Sequence, residues 1–151
     1  MTILVDFNQV VISNIMVQIG NYNVEFEEGI IRHMVLNSLR SYRNKFKNQY
    51  GELVICCDDR EYWRNSIFPY YKASRKKTRE KSDMDWKELF RILNLVRDEL
   101  KENFPYKVIH VEHAEADDII GVVCEYNFDE EPILILSDDK DYIQLHKHDN
   151  V

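Results

Sequence analysis

Short apolar runs that end in carboxylates recur along this chain, and they constrain its fold more than any other feature. Such runs are typical of strands buried on both faces of a parallel sheet. Three of them are followed within three residues by acid: residues 2–5 before Asp6, residues 53–57 before Asp58, and residues 132–136 before Asp138 and Asp139. Because the carboxyl ends of parallel strands meet at one edge of a sheet, the pattern predicts an α/β fold whose acidic side chains gather there.

Helical periodicity fills the spaces between these runs. After a turn at residues 21–23, apolar residues recur at three- and four-residue steps over 26–46, and Gly51 ends that helix. A capping box over 82–85 opens a second helix whose apolar face covers 86–100. Because a strand, a helix and a second strand form a right-handed crossover, we expect parallel pairing in one compact domain.

A cluster of three acids heads a further helix. Glu115, Asp117 and Asp118 come after a predicted strand at 106–111 and before the apolar run 119–123. The positive end of a helix dipole favours acidic residues. Three neighbouring carboxylates nevertheless repel one another unless a cation or a basic partner lies among them.

Each acidic stretch alone fits ordinary capping or turn chemistry. Several strand ends that deliver acid to one sheet edge instead favour a divalent-metal site, with these candidate residues: Asp6, Asp58, Glu115, Asp117, Asp118, Asp139 and Asp141. An all-oxygen site suits two Mg²⁺ ions, with Mn²⁺ as a substitute, so we interpret His110 and His113 as non-ligands. Two such ions activate water and stabilise the leaving oxygen in phosphodiester hydrolysis.

A basic segment interrupts an acidic chain. The net charge is −7, but residues 62–81 carry +6 and the remainder carries −13. Aromatic residues alternate with the basic ones, which favours stacking on bases and pairing with phosphates over a solvated loop. The candidate nucleic-acid contacts are Arg64, Tyr70, Tyr71, Lys72, Arg75, Lys76, Lys77 and Arg79.

The three cysteines fit neither a disulfide framework nor a zinc pattern. Their number is odd, and Cys56 and Cys57 are adjacent in an apolar run. We expect buried free thiols in a reducing compartment. Because the sequence has no signal-peptide pattern and no run of membrane-spanning length, we expect a cytoplasmic protein without a membrane association.

Taken in order, the motifs resemble the flap endonuclease and 5′-nuclease family, whose core is PIN-like, and within it the ribonuclease H branch of T-even-type bacteriophages. The resemblance runs from Ile3 to the last residue. Its carriers are Val5-Asp6-Phe7, Cys57-Asp58, Tyr62-Trp63-Arg64, Tyr70-Tyr71-Lys72-Ala-Ser-Arg75, Glu115-Ala-Asp-Asp118, Ser137-Asp-Asp-Lys-Asp141 and Gln144-Leu145.

The resemblance implies a three-layer α/β/α fold with a mainly parallel sheet and a helical arch at about residues 62–81. It implies that Lys72 and Arg75 contact the phosphate at the base of the arch, beside the catalytic Asp117 and Asp139. The other implied ligands are Asp6, Asp58, Glu115 and Asp141, with Asp118 in support. We expect Lys72 and Arg75 to be exposed.

The family removes RNA primers and cleaves flaps from 5′ ends during DNA replication. The resemblance thus implies a metal-dependent 5′-3′ exonuclease or flap endonuclease of ribonuclease H type. Its partners would be duplex or branched nucleic acid and a single-strand-binding protein. The protein would be a monomer in the host-cell cytoplasm.

Two departures from the family pattern concern acidity. Asp138 replaces a residue that is usually small, and Asp59 adds a carboxylate, so we expect a more acidic pocket. The family also continues into a further aspartate and a helix-hairpin-helix region, which we expect to be absent here.

Two alternatives follow. The chain could bind metal and nucleic acid without turnover, as an incomplete fragment. It could instead be a primase- or topoisomerase-like enzyme, although that fold does not require Asp6, Asp58 or the Tyr-Lys-x-x-Arg segment.

Overall fold

The computed structural model describes residues 1–19, 27–82, 84–126 and 131–151. Its sheet has four parallel strands in the order β3-β2-β1-β4. The strands are β1 (Thr2–Asp6), β2 (Leu53–Cys57), β3 (Lys107–His110) and β4 (Ile133–Leu136). All four strands were predicted, and the parallel pairing is confirmed.

Six α-helices and a 3₁₀ helix lie in the described part of the chain. They are α1 (Phe7–Ile19), α2 (Glu28–Tyr50), α3 (Trp63–Ile67), α4 (Ala73–Glu80), α5 (Trp86–Asn103), α6 (Ala116–Tyr126) and the 3₁₀ helix Lys140–Lys147. Within the described residues, no helix combines the length and the apolar character that crossing a membrane requires.

Alternation along the strands creates two hydrophobic layers. Ile3 and Val5 in β1 belong to a core that includes buried residues of α1, α2 and α5. Leu4, between them, belongs to a second core with α6 and the 3₁₀ helix. Since successive strand residues point to opposite faces, one strand supports helices on both sides. The three-layer α/β/α architecture is therefore confirmed.

Helix α1 has no counterpart in the sequence-based predictions. It begins directly after Asp6 and buries Phe7, Val10, Val11 and Ile15 against the sheet. Its many β-branched residues lower helix propensity, and tertiary packing overrides that preference. The predicted turn at 21–23 and the start of the next helix at Phe26 lie outside the described residues.

The end of α2 at Gly51 agrees with the prediction. Gly51 has φ +83°, and its amide donates to the Lys47 carbonyl at 2.9 Å. A Cβ atom at this position would lie 2.8 Å from the carbonyl oxygen of Met1. Both the positive φ and the close backbone approach therefore require glycine.

The predicted capping box before α5 is wrong in its cap residue. Asp85, not Ser82, is the N-cap, and its Oδ1 accepts from the Glu88 amide at 2.9 Å. The Ser82 hydroxyl accepts from the Met84 amide instead. Aspartate and serine are equally good caps, so the position of the apolar face decides where the helix begins.

The cysteines are buried and free, as predicted. Burial raises the pKa of the Cys56 thiol to about 12 and also raises the pKa of Cys57 and Cys124. The protonated thiols act as small hydrophobic groups in the two cores.

Truncating a leucine in the larger core should be far more costly than truncating one at the surface. Leu39 in α2 is fully buried, whereas Leu95 in α5 is 36% exposed. We expect Leu39→Ala to lower the free energy of unfolding by about 2–5 kcal/mol. The matched control Leu95→Ala should lower it by about 1 kcal/mol or less, measured by urea denaturation. Equal losses would contradict the assigned position of the core.

Candidate metal centre

The carboxyl ends of the strands border a cavity of about 460 Å³. The chain passes from β1 to β2 and β3 on one side and then crosses back to β4 on the other side of β1. Ligands of open α/β sheets bind where the strand order reverses in this way. Four carboxylates line the cavity: Asp6, Asp58, Asp117 and Asp139. Four basic side chains of residues 72–79 also line it: Lys72, Arg75, Lys76 and Arg79.

Asp6 ends β1 and is the most deeply buried acid of the cavity wall, with 8% of its surface exposed. Its Oδ2 accepts from the hydroxyls of Tyr142 at 3.0 Å and Ser137 at 3.3 Å. Burial, and then the charge of Asp58, raise the pKa of Asp6 to about 6. A nearby cation would favour ionisation of this carboxyl group.

Asp58 lies beyond the end of β2 and joins two other elements. Its Oδ2 accepts from the Asn8 amide group at 3.0 Å, and its Oδ1 accepts from the Ala116 backbone amide at 2.8 Å. Ala116 is the first residue of α6, so Asp58 satisfies one of the unpaired amides at that helix start. The contact ties the N-terminus of α6 to the end of β2.

Glu115 immediately precedes α6 and is fully buried. Its Oε2 accepts from Arg64 at 2.8 Å and from the Tyr71 hydroxyl at 2.9 Å, while Oε1 pairs with Lys72. A buried carboxylate without such partners would be strongly unfavourable. The basic segment therefore supplies the charge that lets Glu115 be buried.

Asp117 lies in the first turn of α6 and is half-buried beside the cavity. Burial, and then the charge of Glu115, raise its pKa. Carboxylate oxygens of Glu115, Asp117 and Asp118 all lie within 4.8 Å of one another. Such crowded carboxylates need basic partners or a cation among them. The four acids that line the cavity, Asp117 included, offer the oxygen donors that a hard divalent cation prefers, so the residues present fit one.

Asp118 is engaged by neighbouring donors. Arg64 binds both of its oxygens, at 2.7 and 2.8 Å, and Trp63 Nε1 donates at 3.0 Å. Partial burial acts to raise the pKa of Asp118, but these bonds and one from the Glu115 amide lower it overall. Arg64 is the charged donor among these groups, so it neutralises Asp118.

The acids after β4 separate into different positions. Asp139 lines the cavity and caps the 3₁₀ helix by accepting from the Asp141 amide at 3.0 Å. Asp141 is exposed and is not among the residues that line the cavity. Asp138 is exposed as well, and its amide donates to Gln9.

The expectation of a more acidic pocket is wrong, because neither additional acid lines the cavity. Asp59 accepts from the His113 backbone amide at 2.7 Å and lies 3.2 Å from His110 Nε2. The bond from the His113 amide is the main reason that the pKa of Asp59 is lowered. Asp59 therefore stabilises the loop after β3, and the two histidines lie beside it.

The basic segment contains two short helices, α3 and α4, which residues 68–72 connect; Lys72, the last of these, has φ +54°. Arg79 lies over the rings of Trp86 and Phe90, with its Cζ at 5.3 and 4.8 Å from their centroids. Burial lowers the pKa of Arg79. This cation–π contact connects the end of α4 to the start of α5.

The other candidate nucleic-acid contacts differ in position. Tyr70 is 75% exposed, and Lys77 is exposed outside the cavity. Tyr71 and Arg64 are bonded to the acidic cluster. The expected exposure of Lys72 is wrong, since it packs against buried Glu115, whereas Arg75 is exposed.

Sequence reasoning missed several polar residues that support the site. Asn8 binds Asp58, Gln9 accepts from the Asp138 amide, and Tyr142 donates to Asp6. Burial raises the pKa of Tyr142, so its hydroxyl remains a donor. Asn8 and Gln9 follow Asp6 after one residue, Phe7, and their polarity within an apolar stretch was the available signal.

The chain matches the family described as 5′-3′ exonuclease, N-terminal resolvase-like domain, over residues 3–151. It belongs to that nuclease family. The match confirms the resemblance inferred from the motifs, and it makes the primase- or topoisomerase-like alternative wrong.

Curated relatives agree with this assignment. The chain is 38% identical over 152 residues to the ribonuclease H of Enterobacteria phage T4, a match that covers 98% of this chain and 50% of that protein. It is 34% identical over 127 residues to the 5′-3′ exonuclease of Buchnera aphidicola subsp. Schizaphis graminum, covering 83% of this chain and 41% of that protein. The chain thus spans half or less of the length of these relatives.

Solved structures share the fold. The T5 D15 protein co-crystallised with metal ions has a TM-score of 0.67 at 16% identity, covering 95% of this chain and 51% of its own. The T5 5′-exonuclease with bound zinc ions has a TM-score of 0.66 at 15% identity, covering 96% and 52%. The likeness confirms the PIN-like three-layer fold.

Neutralising Asp6 should stabilise the metal-free protein at neutral pH. Its pKa rises from 3.8 to about 6 on folding, so between these values the folded state binds the proton more tightly, and stability falls as pH rises. At pH 7 in EDTA, we expect Asp6→Asn to raise the free energy of unfolding by about 1–3 kcal/mol. Exposed Asp149 provides the matched control, Asp149→Asn, which should change little.

The same variant tests the metal centre. Mg²⁺ should raise the melting temperature of the wild type and of Asp149→Asn, but not that of Asp6→Asn. A loss of stability in Asp6→Asn at pH 7 in EDTA would show that the Asp6 charge is favourable without metal.

Proposed function

We propose that this chain is the core of a divalent-metal-dependent 5′ nuclease. It hydrolyses phosphodiester bonds in DNA or RNA–DNA hybrids, as a 5′-3′ exonuclease and flap endonuclease that removes RNA primers. One observation carries the proposal: a single cavity is lined by four carboxylates and by four basic side chains from the adjoining segment. Membership of the 5′-3′ exonuclease family supports it.

The proposed cofactor is Mg²⁺, as two ions, with Mn²⁺ as a substitute. Asp6, Asp58, Asp117 and Asp139 line the cavity and would hold the ions. Glu115 and Asp141, the other ligands that the family resemblance implies, are not among the residues that line the cavity. When bound, the ions supply an activated water and stabilise the leaving oxygen.

The chain's own carboxylates would orient water by accepting hydrogen bonds. Asp6 is held by Tyr142, Ser137 and Gln9, and Asp58 by Asn8 and the start of α6. Fixed acceptors require little reorganisation when the reaction occurs. Of the two acids in the first turn of α6, Asp117 has the raised pKa. A bound cation would compensate the charge of such a carboxylate.

Basic residues of α4 would hold the substrate. Arg75, Lys76 and Arg79 line the cavity and would pair with phosphate oxygens, while Arg79 is also positioned by Trp86 and Phe90. The carboxylates alone would repel a polyanion, so the cations opposite them are needed to attract it.

Lys72 lies between the acidic and the basic side chains of the site. It pairs with Glu115 and lines the cavity, and its ammonium group lies 5.3 Å from the centroid of the Tyr71 ring. A lysine in that position would contact the scissile phosphate while it neutralises the buried acid. Exposed Tyr70 would stack on a base near the same phosphate.

The second candidate is a metal- and nucleic-acid-binding module without turnover. The observation that favours it is that two acids of the hypothesised metal site, Glu115 and Asp118, are paired with Arg64 and Lys72. It predicts binding of a 5′ flap substrate without products.

The proposed setting is DNA replication in the cytoplasm of a phage-infected cell, with the protein as a monomer. Nucleic acid is the main partner, and a single-strand-binding protein is a further one. The T4 relative supports a phage setting.

Cleavage of a 5′-labelled flap and of an RNA–DNA primer hybrid, with and without Mg²⁺, tests the proposal. We expect short 5′ products with the wild type, and a decrease on the order of 100-fold or more for Asp117→Asn and Asp139→Asn. The matched control is Asp138→Asn, which changes an exposed neighbour outside the cavity and should retain activity. Binding by the wild type without products would instead support the second candidate.

Replacing Lys72 or Arg75 by alanine should lower cleavage in both cases, but only the Lys72 variant should also lose stability. Lys72→Ala removes a partner of buried Glu115 and should lower both cleavage and the free energy of unfolding, the latter by about 1–3 kcal/mol. Arg75 is exposed, so Arg75→Ala should lower cleavage and leave thermal unfolding nearly unchanged. Unchanged cleavage by Arg75→Ala would show that Arg75 does not bind the substrate phosphates.

A further inference from the structure

Arg64 joins the basic segment to the acidic helix through a fork. Its Nη1 donates to Glu115 Oε2 and to Asp118 Oδ2, both at 2.8 Å, and its Nη2 donates to Asp118 Oδ1 at 2.7 Å. The guanidinium also lies 4.7 Å from the Trp63 ring centroid and 5.7 Å from that of Tyr71. With these three hydrogen bonds and two ring contacts, the Arg64 side chain is 26% exposed.

Asp118 has little capacity left for another partner. A carboxylate offers about four lone-pair sites. Asp118 receives two bonds from Arg64, one from Trp63 Nε1 at 3.0 Å and one from the Glu115 amide at 3.0 Å. Three of the four donors meet at Oδ2. Oδ2 is therefore fully engaged, Oδ1 keeps one acceptor site, and Arg64 compensates the charge of the carboxylate without a cation.

Backbone bonds fix the same junction from a second side. The Trp63 amide donates to the His113 carbonyl at 2.9 Å, and the Asp59 amide donates to the Ala114 carbonyl at 2.9 Å. The start of α3 is thus attached to the loop that leads into α6. Since Arg64 is the second residue of α3, its fork locks that attachment through side chains.

We propose that Arg64 is a positioning residue for the nuclease reaction, and that Asp118 is its anchor instead of a cation ligand. The pair holds the first turn of α6 so that Asp117, between Glu115 and Asp118, is directed to the cavity, and it fixes the base of the basic segment opposite the carboxylates. This assignment rests on the proposed function. It differs from the sequence-based hypotheses, in which Arg64 contacts nucleic acid and Asp118 supports a metal.

The fork explains why arginine occupies this position. A planar guanidinium can bind both oxygens of one carboxylate and a third oxygen at once, whereas a lysine ammonium binds as a point charge. Arg64→Lys therefore keeps the charge and removes the geometry. The matched control is Arg43→Lys, because Arg43 forms a similar two-bond pair with Glu52 away from the cavity.

The experiment compares wild type, Arg64→Lys and Arg43→Lys in three measurements. Calorimetric titration with Mn²⁺ gives cation affinity without turnover, and we expect Arg64→Lys to weaken it about tenfold. Cleavage assays should show a similar rise in the Mg²⁺ concentration for half-maximal rate, with the KM for nucleic acid within about twofold of the wild type. Limited trypsinolysis should cut residues 72–81 faster in Arg64→Lys, because the base of the segment is released.

Two results would overturn the assignment of Arg64. In the first, Arg64→Lys raises the KM for nucleic acid and leaves the Mn²⁺ affinity unchanged. If the slope of log binding constant against log salt concentration also becomes about one unit less steep, Arg64 is a phosphate contact. Arg64→Lys that matches Arg43→Lys in all three measurements would leave Arg64 without a positioning role. If Arg64→Lys does not fold, Trp63→Phe, which removes the indole bond to Asp118 and keeps an aromatic ring beside Arg64, is expected to show the same changes in weaker form.

Asp118→Asn tests the anchor. We expect it to weaken Mn²⁺ binding to the same extent as Arg64→Lys, with the double variant no worse than the more severe single one, because both act through one contact. Complete loss of Mn²⁺ binding in Asp118→Asn, with normal binding in Arg64→Lys, would make Asp118 a ligand and reject the proposal. Wild-type cleavage serves as the separate test of the proposed function, since its absence leaves the Mn²⁺ and trypsin results interpretable.

Discussion

Repulsion among carboxylates at one edge of a parallel sheet is the constraint on which the rest of this structure depends. Asp6, Asp58, Asp117 and Asp139 come from four separate chain segments and line the same cavity. Burial, and then the charge of a neighbouring carboxylate, raise the pKa of Asp6 and of Asp117; the neighbour is Asp58 for Asp6 and Glu115 for Asp117. A fold that retains this arrangement needs compensation, from side chains or from a bound cation.

The protein divides that compensation between two sets of acids. Arg64 and Lys72 neutralise Glu115 and Asp118, which lie at the junction between the basic segment and α6. The cavity acids are held mostly by uncharged donors, such as Tyr142 and Asn8. Internal ion pairs therefore stabilise the frame of the site, while the cavity carboxylates keep oxygen atoms available for a hard cation.

The differences between the sequence-based expectations and the structure share one cause. Asp58 and Asp59 are adjacent and chemically identical, yet one lines the cavity and the other binds the loop after β3. Lys72 and Arg75 lie three residues apart in a basic run, yet only Lys72 packs on a buried acid. Helix α1 forms from β-branched residues because the sheet and α2 cover its apolar face. In each case a long-range contact decides between alternatives that are equal locally.

Local chemistry along the chain determined most of the fold and the family. Short apolar runs, three of them followed by acid, predicted the four parallel strands. The order of the Tyr-Lys-x-x-Arg, Glu-Ala-Asp-Asp and Asp-Lys-Asp motifs predicted the nuclease family. Only the tertiary structure decided which carboxylates share the cavity and which basic side chains are tied to acid, as the Arg64 fork on Asp118 illustrates. The physical reason is that strand periodicity and capping act over a few residues, whereas a charge pair depends on segments that folding brings together.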